Sequence, residues 1–280
     1  MHFMDLSTII YGCIIVYHSP TGKGLAEEMR YFFVHYLDNA ATTPVPEEVI
    51  AAMADTLRHH SGNPSSQYPY GQDGKAVAEN GREIIARALG CPKERLFFTS
   101  CGTESDAWAI RGAVWHGRHK GRHIVTTAVE HHSVLAICKA LENEGFEVIT
   151  VAPDESGHIT PEAMAAACNE KTILASCMMV NSETGAIHDL PAIAAACRRK
   201  SPNLIFHADC VQSFCRLPID PVKWGIQLVS VSGHKIHGPK GIGFLYVGDR
   251  VKIRPIVFGL TRLISSPASA IGSRAPISLF

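Results

Sequence analysis

From about His35 onward, short apolar runs alternate with helix-length segments, and that alternation limits the fold more than any other feature of the chain. Seven runs read as strands: 95–99, 123–127, 147–151, 172–177, 204–208, 227–231 and 242–247. Pro46 opens a helical pattern in which Val49, Ile50, Met53 and Leu57 share a face. A second helix carries Val77, Ile84, Ile85, Ala88 and Leu89 and stops at Gly90, a natural left-handed cap. Further helical patterns run through Ala107, Ile110 and Val114, and through Val134, Cys138 and Leu141. Thr160-Pro161 is a cap-and-first-turn pair, and Asp189 caps the helix through Ile193 and Cys197. A loop joins the last two strands, so that pair has room to run antiparallel. The expected fold class is α/β: a mainly parallel seven-stranded sheet flanked by helices, with ligands at the carboxyl ends of the strands.

Composition excludes several alternatives. The 280 residues are enough for a real buried core, and 46% hydrophobic against 19% charged residues excludes disorder as the main state. Lys+Arg and Asp+Glu balance at 26 each, which gives no electrostatic case for nucleic acid or an anionic membrane. The longest apolar run, 9–17, is broken by Gly12 and falls far short of the ~20 residues that span a bilayer. Only His2 and Asp5 precede it among titratable residues, so a secretory leader is not expected. Nine scattered cysteines without a C-x-x-C pair suit a reduced, cytoplasmic chain. His116, His119 and His123 read as a solvated helix end rather than a metal site, and no metal is expected.

Five segments carry chemistry. In S-V-S-G-H-K-I-H-G-P-K-G-I-G-F (230–244), Lys235 stands at the end of an apolar strand. Desolvated there, its amine is able to form a Schiff base with a carbonyl ligand. In F-H-A-D-C-V-Q-S (206–213), Asp209 is placed to pair with a protonated ring nitrogen, and Gln212 to donate to a phenolate oxygen. T-S-C-G-T-E-S-D (99–106) turns from strand to helix at Gly102, with Thr103 beside it, an arrangement suited to phosphate. V-E-H-H-S (129–133) and V-N-S-E-T-G (180–185) complete the set. Each segment alone also fits a solvated loop or an ordinary helix cap. Together, in this order, they are the parts needed to hold pyridoxal 5′-phosphate (PLP) and tune it as an electron sink.

With Y-L-D-N-A-A-T-T-P (36–44) and N-P-S-S (63–66), the sequence resembles the cysteine desulfurases of the class V aminotransferase group, which are fold-type I PLP enzymes. The resemblance implies that Lys235 bonds the cofactor and moves protons, and that His131 stacks on its ring and assists acid–base steps. It implies that Asp209 meets the ring nitrogen and that Gln212 and Asn181 lie near the phenolic oxygen. Gly102, Thr103, Ser232 and His234 then form the phosphate cradle. Cys101 stands where a small Gly or Ala is more familiar in the family, and Ser182 where Asn is common. The implied activity is removal of sulfur from L-cysteine, giving alanine and a persulfide for iron–sulfur cluster or thio-cofactor assembly. The implied partners are a second copy of the chain and a sulfur-acceptor protein.

Three regions are expected: an extension over 1–34, a PLP-binding large domain over 35–258, and a divergent tail over 259–280. The extension contains S-P-T-G-K-G (19–24) and loosely resembles the opening of flavodoxin-like proteins. It lacks P-loop spacing and reads better as a remnant or a mis-set start. After Gly259 the resemblance stops, which predicts a missing small C-terminal domain. No cysteine follows Lys235, and the family's carboxylate-binding arginine has no counterpart, so no sulfur release is expected from the 280 residues alone. The alternatives are another class V enzyme, such as a selenocysteine lyase or an aminotransferase, and a non-catalytic PLP-binding fragment.

Overall fold

The computed structural model describes residues 14–16, 34–249 and 251–256. Most of the expected extension and all of the expected tail lie outside these residues. The described part of the extension includes β1 (Ile14–Val16), which pairs antiparallel with β2 (Val34–Tyr36) at the expected boundary with the large domain.

The seven expected strands form one sheet. They are β3 (Leu96–Thr99), β4 (His123–Thr127), β5 (Glu147–Val151), β6 (Thr172–Ser176), β7 (Ile205–Asp209), β8 (Leu228–Ser232) and β9 (Gly243–Val247). Their order is β3-β9-β8-β7-β6-β4-β5. Strands β4 to β8 pair in parallel. β9 runs antiparallel to both β8 and β3, so the antiparallel hand expected for the last pair also brings the first strand of the sheet to its edge.

The helices are α1 (Glu47–His59), α2 (Pro69–Leu89), α3 (Gly102–Gly117), α4 (His132–Asn143), α5 (Pro161–Ala167), α6 (Leu190–Lys200) and the single turn α7 (Pro221–Trp224). The caps read from sequence form: Thr160 accepts from Ala163 N–H at 3.1 Å, Asp189 accepts from Ala192 N–H at 3.1 Å, and Gly90 adopts φ 66°. Neighbouring strand residues point to opposite faces and build two cores. Ile124, Leu174, Leu228 and Leu245 pack with α3 and α4 residues such as Ile110, Val114, Val134 and Leu141. Val125, Ala175, Val229 and Phe244 pack with Met164, Ile193 and Leu89 on the other side. Packing on both faces leaves all five positions of β4, β6 and β8 buried, with no alternation of buried and exposed residues.

One expected helical face behaves differently. α1 forms, but none of its residues is buried, and Ile50 and Leu57 remain exposed. An amphipathic repeat creates an apolar stripe only; covering it needs a partner surface, which the described residues do not supply. No described helix is long and apolar enough to cross a membrane.

Candidate active site

The carboxyl ends of the parallel strands open into a cavity of about 500 Å³. The sheet order reverses between β4 and β6, the usual place for a ligand crevice in such folds. Segments following β3, β4, β6, β7 and β8 line it, and residues 38–41 cross over its mouth.

One end is built for an anion. Cys101 precedes α3 and makes no side-chain cap, so the helix's first N–H groups stay available to a ligand. Gly102 is required there, because a Cβ would come within 2.8 Å of Val211 Cγ2 and 3.4 Å of Ser232 Cβ. Ser232 Oγ is buried with no hydrogen-bond partner among the described residues. A buried hydroxyl left unpaired at a helix N-terminus suits a phosphate group, which would satisfy both. Thr103 and His234 complete this end, with His234 Nδ1 lying 3.1 Å from Thr42 Oγ1. Burial, then the Lys235 and Lys240 charges, lowers the His234 pKa.

Lys235 ends a short 3₁₀ turn after β8, and its ammonium donates to the carbonyls of Ala40 and, at 2.9 Å, Ala41. Burial lowers its pKa; the charges of Asp38, Asp209 and Glu183 partly oppose this, while Arg216 adds to it. Gln212 Nε2 also reaches Ala40 O, at 2.8 Å, so two expected site residues hold the same strap of chain.

The floor is acidic and dry. Asp209 lies at the end of β7, 4% exposed, accepting from Val211 N–H at 2.9 Å. Burial, then the neighbouring Asp106 charge, pushes its pKa well above the usual carboxylate range. Glu130 accepts from Met178 N–H at 2.9 Å and from Thr127 Oγ1 at 3.2 Å; burial pushes its pKa up to about 8. Asp106, one turn into α3, accepts from Ser133 Oγ at 2.6 Å. Below it, buried His207 is held between Ser176 Oγ and Ser230 Oγ, each 2.9 Å away. His131, before α4, lines the cavity with an exposed ring whose Nδ1 is anchored to Ser133.

Eight of the nine expected site residues therefore share one cavity: Gly102, Thr103, His131, Asp209, Gln212, Ser232, His234 and Lys235. Asn181 is beside it but does not line it. Its amide donates to Val129 O at 2.8 Å, and its Oδ1 accepts from the N–H groups of Glu183 and Thr184 at 2.9 and 2.8 Å. Asp38, Asp106 and Glu130 received no role from sequence. The signal for Asp106 was its place at the end of the T-S-C-G-T-E-S-D motif, just inside the helix. Cys101, at the anion end, is the one thiol lining the cavity among the described residues. No group of three or more His, Cys, Asp or Glu among the described residues is placed to hold a metal ion.

The aminotransferase class-V family profile matches residues 35–268. Cysteine desulfurase IscS of Methanosarcina thermophila is 41% identical over 242 residues, covering 86% of this chain and 59% of that protein. The protein of the same name from Serratia proteamaculans is 45% identical over 222 residues, covering 78% and 54%. Among solved structures, a NifS-like protein superposes with TM-score 0.78 at 35% identity, over 80% of this chain and 62% of its own. SspA in complex with cysteine superposes with TM-score 0.77 at 33% identity, over 85% and 67%. The chain thus spans about three-fifths of the length of the curated relatives it matches.

Proposed function

The chain belongs to the aminotransferase class-V family, with the fold of fold-type I cysteine desulfurases, and on that premise we propose that its cavity holds PLP and serves removal of sulfur from L-cysteine. The observation that carries this is the pairing, within one cavity, of an anion cradle with an unpaired buried Ser232 hydroxyl and a half-buried Lys235 amine above the Asp209 carboxyl. When bound, PLP supplies an electron sink for charge developing at the substrate α-carbon.

The residues present suit that group. Gly102 and Thr103 offer helix-terminal N–H groups to the phosphate, with Ser232 and His234 beside them. Asp209, sealed and already favouring a shared proton, suits a protonated ring nitrogen. Gln212 serves the phenolic-oxygen side. Asn181 supports the site from behind by holding the backbone that carries His131. Lys235, with its pKa lowered by burial, more readily gives up its proton and then takes one at Nζ. His131 presents its ring to the open cavity, where it can orient substrate and hold a proton. Eight unpaired thiols among the described residues suit a reducing, cytoplasmic setting. The exposed Ile50, Leu57, Tyr68 and Tyr70 suit a homodimer contact, and a persulfide product calls for a sulfur-acceptor protein.

The test begins with PLP added to purified protein. Borohydride should fix the cofactor to the peptide containing Lys235, and not in Lys235→Ala. Alanine and sulfide from L-cysteine should then be assayed in the 280-residue chain and in a version extended to the length of its relatives. Equal labelling of Lys235→Ala would overturn the cofactor assignment. A labelled, extended chain that converts selenocysteine or transfers an amino group, but releases no sulfur from cysteine, would overturn the substrate.

A further inference from the structure

Along the cavity wall, three side chains at the starts of two helices form a line that the proposed reaction does not by itself require. His131 Nδ1 lies 2.7 Å from Ser133 Oγ, and Ser133 Oγ lies 2.6 Å from Asp106 Oδ2. Ser133 and Asp106 are both buried, whereas the His131 ring is exposed to the cavity. Asp106 Oδ1 faces His207 Nε2 at 3.5 Å, which leaves Oδ2 for Ser133. Asp209 and Glu130 are the other charged groups acting on this carboxylate's surroundings.

A serine hydroxyl has one proton and so donates to only one of these two neighbours. A second donor complicates the choice: the backbone N–H of Ser133 lies 3.2 Å from the same Nδ1, a long contact that favours an unprotonated Nδ1. The 2.6 Å bond to a carboxylate is charge-assisted and roughly twice as strong as a neutral one. It takes the Ser133 proton, so Ser133 Oγ is left as an acceptor 2.7 Å from Nδ1. That is a nearer neighbour than the backbone N–H that donates to the same atom at 3.2 Å, and hydrogen on Nδ1 satisfies the closer contact. Resting on the proposed function for its purpose, we propose that Asp106 and Ser133 are positioning residues that hold His131 as the Nδ1–H tautomer, leaving Nε2 as an unprotonated base facing the substrate. The logic is that of a histidine oriented by a buried carboxylate, with one hydroxyl interposed.

The readout needs no cofactor. Labelled imidazole nitrogens in the cofactor-free protein, observed by NMR at mildly alkaline pH, report the tautomer directly; the His131 signal is identified by its loss in His131→Gln. The parent should show hydrogen on Nδ1. Ser133→Ala leaves only the backbone N–H against Nδ1, so hydrogen should move to Nε2, and Asp106→Asn should do the same because its amide is able to donate to Ser133. Ser133→Thr should restore the parent state. In the loaded enzyme, Ser133→Ala should lose about tenfold or more in kcat with little change in KM. Hydrogen on Nε2 in the parent, or on Nδ1 in folded Ser133→Ala, would overturn the proposal. Because the tautomer is read without PLP, failure of the cofactor reading would show separately in the borohydride experiment.

Discussion

Asp106, Glu130, Asp209 and His207 at the floor of the cavity are sealed from water and fixed by hydrogen bonds to groups at strand ends and the first turns of helices. Lys235 and His234 at its rim are partly open, and they are held by the strap of chain that carries Asp38, about 190 residues distant in sequence. Asp106 and Asp209 line the same ligand space as the rim groups, with Glu130 and His207 buried near them, but the two regions differ in what they cost the fold. Floor carboxyls sit where burial penalises their charge, so function there opposes stability. Rim groups keep contact with solvent, so they are altered with little effect on the fold. The comparison teaches that substitutions at the floor should be read in stability and its pH dependence, and those at the rim in ligand retention.

Lys235→Ala should have the largest effect: complete loss of borohydride-fixed cofactor, with denaturant stability changed by less than about 1 kcal/mol. A large loss of stability would erase the contrast between rim and floor.

Glu130→Gln should come next, with the opposite signature. The folded chain keeps a proton on Glu130 up to about pH 8, whereas the unfolded chain releases it near pH 4.5. Stability must therefore fall as pH rises through that window, by on the order of 4–5 kcal/mol in full. Glu130→Gln keeps an acceptor for Met178 N–H and should flatten that slope, as measured by urea unfolding at several pH values. An unchanged slope would show that Glu130 is not the group responsible.

Asp209→Asn sharpens the opposition between function and stability. It retains an acceptor for Val211 N–H while removing the cost of ionising a sealed carboxyl, so the cofactor-free protein should lose less stability than the parent as pH rises. Cofactor retention after gel filtration should decline in the same variant. Retention equal to the parent would remove Asp209 from the site.

Thr43→Val should have the smallest effect. Thr43 Oγ1 donates to His234 O at 2.9 Å and accepts from His237 N–H at 2.7 Å, tying the strap to the Lys235 turn. Its loss should cost about 1 kcal/mol in unfolding experiments and loosen PLP binding. No change in either would show that the strap does not depend on this tie.

The sheet was legible because it rests on local patterns. All seven strands fall within two residues of their expected ends, and the loop between β8 and β9 announced their antiparallel hand. Gly90, Thr160 and Asp189 act as caps because a cap depends on its own helix. Lys235, His131, Asp209 and the Gly102 turn were legible for a similar reason: each follows a strand in a distinctive short motif. Asn181 shows the limit. Its motif put it in the set, but the direction of its amide depends on Val129, 52 residues away.

The sequence by itself determined the α/β class, the positions of the strands and the segments that meet at their carboxyl ends, since periodicity, caps and motifs are properties of neighbouring residues. Only the tertiary structure decided that β9 lies between β3 and β8, that residues 38–43 close over Lys235, and that three carboxyls share one dry floor. Those outcomes depend on which distant segments exclude water together. Burial is what turns an ordinary Asp or Glu in the sequence into a group whose proton matters.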